Sequence, residues 1–245
     1  MLEAFSKKLK SIISLPPTEE NERLIRELSH RFINEIRQYS ESEGYLKTES
    51  AVKKCYSHIE KLNRNMIMTR DAESFKFAEC DMGYAVGNCV IASDTLLCKS
   101  SSVLTFQSPP PIYNVCCYKL IVKAVTLIAE TFLRGGENTV VEFRCKKLPH
   151  ASLLLAYSDN NNHAVFADKK AAENLKILVR IADLHRGACV HASTRSGAYI
   201  AISISDFLES NSKPVRIPSY IDLLLDKVSD IYVGLSNIDE IHFRD

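Results

Sequence analysis

The chain has 245 residues, 46% hydrophobic and 25% charged, enough for one large domain or two small ones, each with its own core. A formal net charge of +1 and the lack of any long basic run argue against a nucleic-acid duplex as partner. No apolar run reaches the ~18 residues of a membrane span. The opening MLEAFSKKLKSIISLPP is amphipathic and too polar for a signal peptide, so a soluble cytoplasmic protein is expected. Cys55, Cys80, Cys89, Cys98, Cys116, Cys117, Cys145 and Cys189 form no C-x-x-C pair and read as reduced, half-buried thiols.

In SLPPTEENE, Pro16 and Pro17 break the chain, and Thr18 is placed to cap a helix whose first turn carries Glu19 and Glu20. Ile25, Leu28, Phe32, Ile36 and Tyr39 then recur at helical spacing. The polar SESEGY, with Gly44, is a turn. A second helix follows, with Val52, Cys55, Ile59, Leu62 and Met66 at steps of three and four. Two helices of roughly 20 residues joined by a short turn make an antiparallel hairpin. Pairing two hairpins would bury both stripes in a four-helix bundle, which predicts a homodimer. Packing of the hairpin on the rest of the chain is the alternative.

After residue 73 the texture changes. SSVLTFQ, TVVEFRC, ASLLLAYS, GACVHAST and GAYIAISIS read as strands, being short, β-branched and bounded by breakers. Helical patterns lie between them in DMGYAVGNCVIASDTLLC, VCCYKLIVKAVTLIAETFLRGG and AAENLKILVRIADLHRG, the last two ending in glycine. The expected fold is α+β: a helical hairpin over residues 1–72, an α/β sandwich over 73–205, and an extension over 206–245. The extension carries one more helix, SYIDLLLDKVSDIYVGL, and no assigned role.

His30 lies nearly opposite the apolar stripe of the first helix. A histidine on a wet helix face is usually only that. Here Arg26, Arg31 and Arg37 lie within a turn or two, and an incoming phosphate would meet positive charge. Ile33 is an apolar residue off the core stripe, as a docking site would have. A solvated imidazole in that setting can carry a phosphoryl group on a ring nitrogen.

LSHRFINEI resembles the H-R-x-x-N phosphoacceptor box of one class of sensor histidine kinase, with His30, Arg31 and Asn34 matching. AVKKCYSHIEKLNRNM is similar to the second helix of the kinase hairpin, and ENLKILVRIADLHRGACVHASTRSGAYIAISIS to the end of the ATP-binding domain. The resemblance runs from residue 20 to about 205 and implies a degenerate histidine-kinase-like ATPase sandwich. The nucleotide boxes depart from it. Glu130 stands where such kinases place the asparagine that holds Mg²⁺. In SDNNNH, Asp159 remains while Asn161 and His163 replace glycines, and in AAEN, Ala172 and Asn174 do so. A Cβ at those positions would close the space for the phosphates.

That combination resembles histidine phosphotransferases that look like kinases which have lost ATP: the sporulation phosphotransferase and, more closely, the ChpT type. KLIVKAVTLIAETFLRGGENTVVEFR is similar to a ChpT-type segment, including Ala129, Glu130 and the R-G-G from Arg134 to Gly136. The ChpT histidine is typically followed by aspartate, and here by Arg31. The resemblance implies an ATP-independent, homodimeric phosphotransferase of a two-component phosphorelay, with His30 as transient nucleophile and Asn34 and Arg31 beside it. Arg26, Glu27, Ile33 and Arg37 would contact the partner, the receiver domain of a hybrid sensor histidine kinase and then that of a response regulator. The receiver would supply Mg²⁺, so no metal or cofactor of its own is expected. The alternatives are an active sensor-type kinase with an unusual ATP site, and a non-catalytic receiver-binding scaffold. His58 is the next candidate acceptor.

Overall fold

The computed structural model describes residues 18, 20, 21, 23, 24, 27, 28, 30 and 31, then 45–97, 101–107, 109–136, 138–159, 165–194, 196–214, 216–226, 228–235 and 238. The described residues from 20 to 31 are helical, and Thr18 caps them as expected, its Oγ1 accepting from the Asn21 N–H at 3.2 Å. Helix α1, Tyr45–Thr69, holds no glycine or proline and runs for 25 residues. Its side chains are described at Lys53, Tyr56 and Ser57 and from Ile59 onward.

Five strands form the main sheet: β2 Val103–Gln107, β4 Val140–Leu148, β5 Ala151–Ser158, β6 Cys189–Thr194 and β7 Gly197–Ser205. Their order is β2-β4-β5-β7-β6, with β2 and β4 parallel and the other pairs antiparallel. These are the five strands expected from the period-two pattern. Val141, Phe143, Leu154, Ala156, Ile200 and Ile202 point to one buried face, while their neighbours reach solvent or half-exposure. One face is thus covered and the other wet. A second, two-stranded ribbon pairs β1 Ala78–Asp81 with β3 Tyr113–Cys116, and no pattern in the sequence had marked it.

Helices α2 Met82–Leu96, α3 Tyr118–Leu133 and α4 Lys169–Leu184 cover the buried face. All fourteen residues of α3 from Leu120 to Leu133 are buried, so it is the central helix, packed by α2 and α4. Its two charged residues in that stretch, Lys123 and Glu130, are buried with the rest. The end of α4 turns sharply: Arg186 has φ 53°, and a Cβ on Gly187 would fall 1.8 Å from the Ser203 carbonyl oxygen. Beside that turn His185 is fully buried, its Nε2 accepting from the Cys117 N–H at 3.1 Å and its Nδ1 facing the Ile181 carbonyl at 2.8 Å.

The expected four-helix core is corrected on α1. Ile59, Leu62 and Met66 lie in the chain's own hydrophobic core, where α1 packs against α4 and the tail, so they are not offered to a second copy. The partner stripe at Ile25, Phe32 and Ile36 lies outside the described residues, and Leu28 packs partly buried on the same core. The tail is corrected too. The single helix expected over 219–235 is two: α5 Tyr220–Leu225, opened by a Ser219/Asp222 capping box, and α6 Asp230–Leu235. Asp226 breaks them apart. Its Oδ1 accepts from the Val228 N–H at 3.0 Å and its carbonyl from the Ser229 N–H at 2.9 Å, turning the chain locally. Leu223, Val228, Ile231, Tyr232, Val233, Leu235 and Ile238 join the core, and α6 lies on α3 so closely that a Cβ on Gly234 would meet Thr126 at 2.3 Å.

Candidate functional site

His30 sits on the helical N-terminal segment with 47% of its side chain exposed, as its place opposite the stripe requires. One contact was not legible in the sequence. Nε2 of His30 lies 3.3 Å from Oδ1 of Asp226 in the tail, and that carboxylate is itself 38% exposed. Arg31 is exposed, and Glu27 is exposed and pairs with Arg23 at 3.6 Å. Arg26, Ile33, Asn34 and Arg37 lie outside the described residues, as does the side chain of His58.

The second focus is a buried ion network between α1, α3 and α4. Arg64 donates through Nε to Glu60 at 2.6 Å and through one terminal nitrogen to Glu130 at 3.1 Å and to the Asn174 amide oxygen at 2.7 Å. Lys123 donates to the other oxygen of Glu60. Asn174 donates to Glu130 and to the Thr131 hydroxyl, both at 3.1 Å, and Arg134 reaches Glu130 at 3.3 Å. Glu130 and Asn174 are wholly buried and Arg64 is only 12% exposed. Burial would raise the Glu60 carboxyl, but Lys123 and Arg64 outweigh it and hold the group below its usual range. At the rim, Lys170 is pulled below its usual range by partial burial and by Arg64.

The residues that the sequence placed at nucleotide positions thus separate. Glu130 and Asn174 come together and face each other and Arg64, not an open cleft. Ala172 and Asp159 are exposed, and Asn161 and His163 lie outside the described residues. The charge of Glu130 is matched by Arg64 and Arg134. The carboxylate of Glu130 and both polar ends of the Asn174 amide are bonded within the protein, while the second terminal nitrogen of Arg64 is buried without a hydrogen-bond partner among the described residues. The signal available in the sequence was a lone charge inside each of LIVKAV and LIAETF, seven residues apart and so on one face of the helix. Their partners on α1 carried no mark. Among the described residues, no cluster of three or more His, Cys, Asp or Glu side chains has metal-binding geometry.

No family model matches the chain, and no curated protein is similar to it in sequence. Solved structures do match in fold. Full-length ShkA in complex with AMPPNP is similar at 11% identity with a TM-score of 0.56, covering 77% of this chain and 46% of that one. The catalytic domain of histidine kinase ThkA is similar at 11% identity and a TM-score of 0.47, over 54% of this chain and 97% of that domain. ThkA in complex with the response regulator protein TrrA is similar at 12% identity and a TM-score of 0.48, over 76% of this chain and 59% of that one. The chain therefore has a mixed α/β fold similar to that found in full-length ShkA. Among the described residues, no helix is long and apolar enough to cross a membrane.

Proposed function

We propose that the protein is a histidine phosphotransferase of a two-component phosphorelay. A receiver-domain aspartyl phosphate would pass its phosphoryl group to His30, and a second receiver would take it, without ATP. The observation that carries this reading is the pairing of an exposed histidine with an engaged nucleotide position. By the sequence resemblance Glu130 and Asn174 would stand where such a kinase holds Mg²⁺ and triphosphate, and both are bonded within a buried network centred on Arg64. Opening that space would break several bonds to buried charged groups, at a cost of several kcal/mol.

A phosphotransferase asks little of this chain. An imidazole nitrogen attacks the phosphorus of the aspartyl phosphate, the P–O bond to the receiver aspartate breaks, and the electron pair leaves on that carboxylate. The receiver brings its own aspartate, Mg²⁺ and lysine. This chain supplies an accessible ring and nearby cations, of which Arg31 is exposed beside it. Arg26, Glu27, Ile33 and Arg37 are the proposed contacts to the receiver, and Asn34 the proposed hydrogen-bond donor to the phosphoryl oxygens.

The test is incubation with radiolabelled ATP alone, and then with a receiver charged by labelled acetyl phosphate. No label is expected from millimolar ATP. Label from the receiver should be acid-labile, base-stable, and absent from His30→Gln. Stable label from ATP alone would refute the reading and favour an active kinase.

A further inference from the structure

We propose that Cys80 and Cys116, neighbours on the β1–β3 ribbon, form a site of reversible oxidation, where a small hydroperoxide is reduced and a disulfide is made. The proposal is independent of the phosphotransfer reading. Ala78 is paired with Cys116 and Cys80 with Asn114, so the two cysteines are diagonal neighbours on one face of the ribbon. Both are buried, at 7% and 1% exposure. The two thiols are hydrogen-bonded to each other. Both also line a cavity of about 420 Å³.

The cavity lies between the end of α1, the ribbon, the start of α3 and the tail, with Met66, Phe75, Leu120 and Leu223 among its lining residues. A water takes ~30 Å³, so the space admits a small peroxide. Cys89 and Cys145 are buried as deeply, but neither lines it. Burial raises both of those thiols, Cys145 to about 12. Cys80 goes the other way. The hydrogen bond from Cys116 lowers it, against burial and the carboxylates of Asp81 and Glu79. The same bond, together with burial, raises Cys116, which keeps its proton. Cys117 is a third thiol at the cavity, raised by burial, but it is the N-cap of α3 and its N–H is held by His185. Cys80 is therefore the nucleophile and Cys116 the thiol that resolves it.

The Cys80 thiolate attacks one peroxide oxygen. An S–O bond forms, the O–O bond breaks, and the departing oxygen takes a proton and leaves as water or an alcohol. Cys80 is then a sulfenic acid. The Cys116 sulfur attacks the Cys80 sulfur, the S–S bond forms, the S–O bond breaks, and hydroxide leaves with the Cys116 proton as water. Two thiols have lost two electrons and two protons, and one hydroperoxide has gained them. Diagonal partners sit about 7–8 Å apart at Cα, slightly beyond the usual span of a disulfide, so closing the bond draws the ribbon in. With only two strands, the ribbon can give. A bond closed under strain is readily reduced, which makes the oxidation reversible.

The test uses the full chain, reduced, freed of added thiol and treated with hydrogen peroxide. Peptide mapping without reduction should find Cys80 joined to Cys116, with the protein lighter by two hydrogens, and dithiothreitol should restore both thiols. In Cys116→Ser the reaction should stop at a sulfenic acid on Cys80, which dimedone traps. In Cys80→Ser, Cys116 should stay unoxidised at the same dose. Before oxidation, iodoacetamide should modify Cys80 roughly tenfold faster, or more, than Cys89 and Cys145. The wild type alone decides the matter if a variant fails to fold. Absence of the Cys80–Cys116 disulfide at a dose that oxidises the chain in urea would overturn the proposal, as would a disulfide from either residue to another cysteine. Alkylation of Cys80 no faster than of Cys89 would overturn it as well.

Discussion

Arg64→Met is the sharpest probe of the buried network. The substitution keeps the length of the stem and removes three bonds: to Glu60 at 2.6 Å, to Glu130 at 3.1 Å and to Asn174 at 2.7 Å. Glu60 retains Lys123, so its loss is partial. Glu130 is the costly site, since it is wholly buried and would keep only Arg134 at 3.3 Å and the Asn174 amide. Breaking a buried pair by removing one partner costs about 3–5 kcal/mol. For a protein of this size each kcal/mol shifts Tm by about 2–4 °C, so a fall of roughly 6–20 °C is expected. The double variant Arg64→Met/Glu130→Leu removes the orphaned charge as well. It should recover about 1–3 kcal/mol relative to additivity. Thermal and denaturant unfolding of the four members of the cycle supply the assay. A shift under about 2 °C for Arg64→Met, or strict additivity, would show that these charges are solvated and that nothing locks α1 onto α3.

Three further outcomes are expected. Leu62→Asp places an unpaired charge in the chain's own core and should abolish cooperative unfolding; a folded variant sedimenting at half the wild-type mass would instead make this face a subunit contact. His185 is held neutral, with burial lowering it from 6.5 to about 4. The unfolded chain binds that proton first, so stability falls as pH drops below 6.5 and the loss is complete near 4. Between pH 7 and pH 5 this amounts to about 2 kcal/mol, absent from His185→Phe; parallel pH profiles for the two proteins would refute it. Finally, His30→Gln should still bind a receiver but not accept phosphate, while Ile33→Glu should weaken binding itself by a few kcal/mol in a calorimetric titration; normal transfer by both would move the acceptor elsewhere.

The sequence made most of the fold legible because its periods are clean. The five strands of the main sheet and helices α2, α3 and α4 are each one pattern bounded by breakers. The β1–β3 ribbon was illegible because AECD and YNVC are four residues each, too short for a period to show. On α1, the stripe Ile59, Leu62 and Met66 announced burial but not against what, since a second copy and the chain's own body satisfy the same pattern. The exposure of His30 was legible because the residue stands off the apolar stripe beside arginines. Asp226 was not: the contact joins the two ends of the chain, and in sequence Asp226 is one acidic residue in an apolar helix-like run. Lys123 and Glu130 were half legible. A charge in an apolar helix foretells a partner, but Glu60 and Arg64 look from sequence like an ordinary surface pair.

The central helix also sets the order in which this protein can become itself. α3 is covered by α6, α1 reaches it through the Glu60–Lys123 and Arg64–Glu130 pairs, and the Asn63 amide of α1 donates to Asp230 of α6 at 2.8 Å across 167 residues. As the chain leaves the ribosome, the sheet and α2 to α4 are complete some thirty residues before the lid that seals them. Until α6 emerges, the Thr126 face of α3 stays bare, and with it a surface to which chaperones bind and nascent chains aggregate. Closure is therefore a late, long-range event, and such closures are slow. The same step that seals the core carries the Asp226 turn into position, so His30 meets its carboxylate only in a chain that has been made through to the tail.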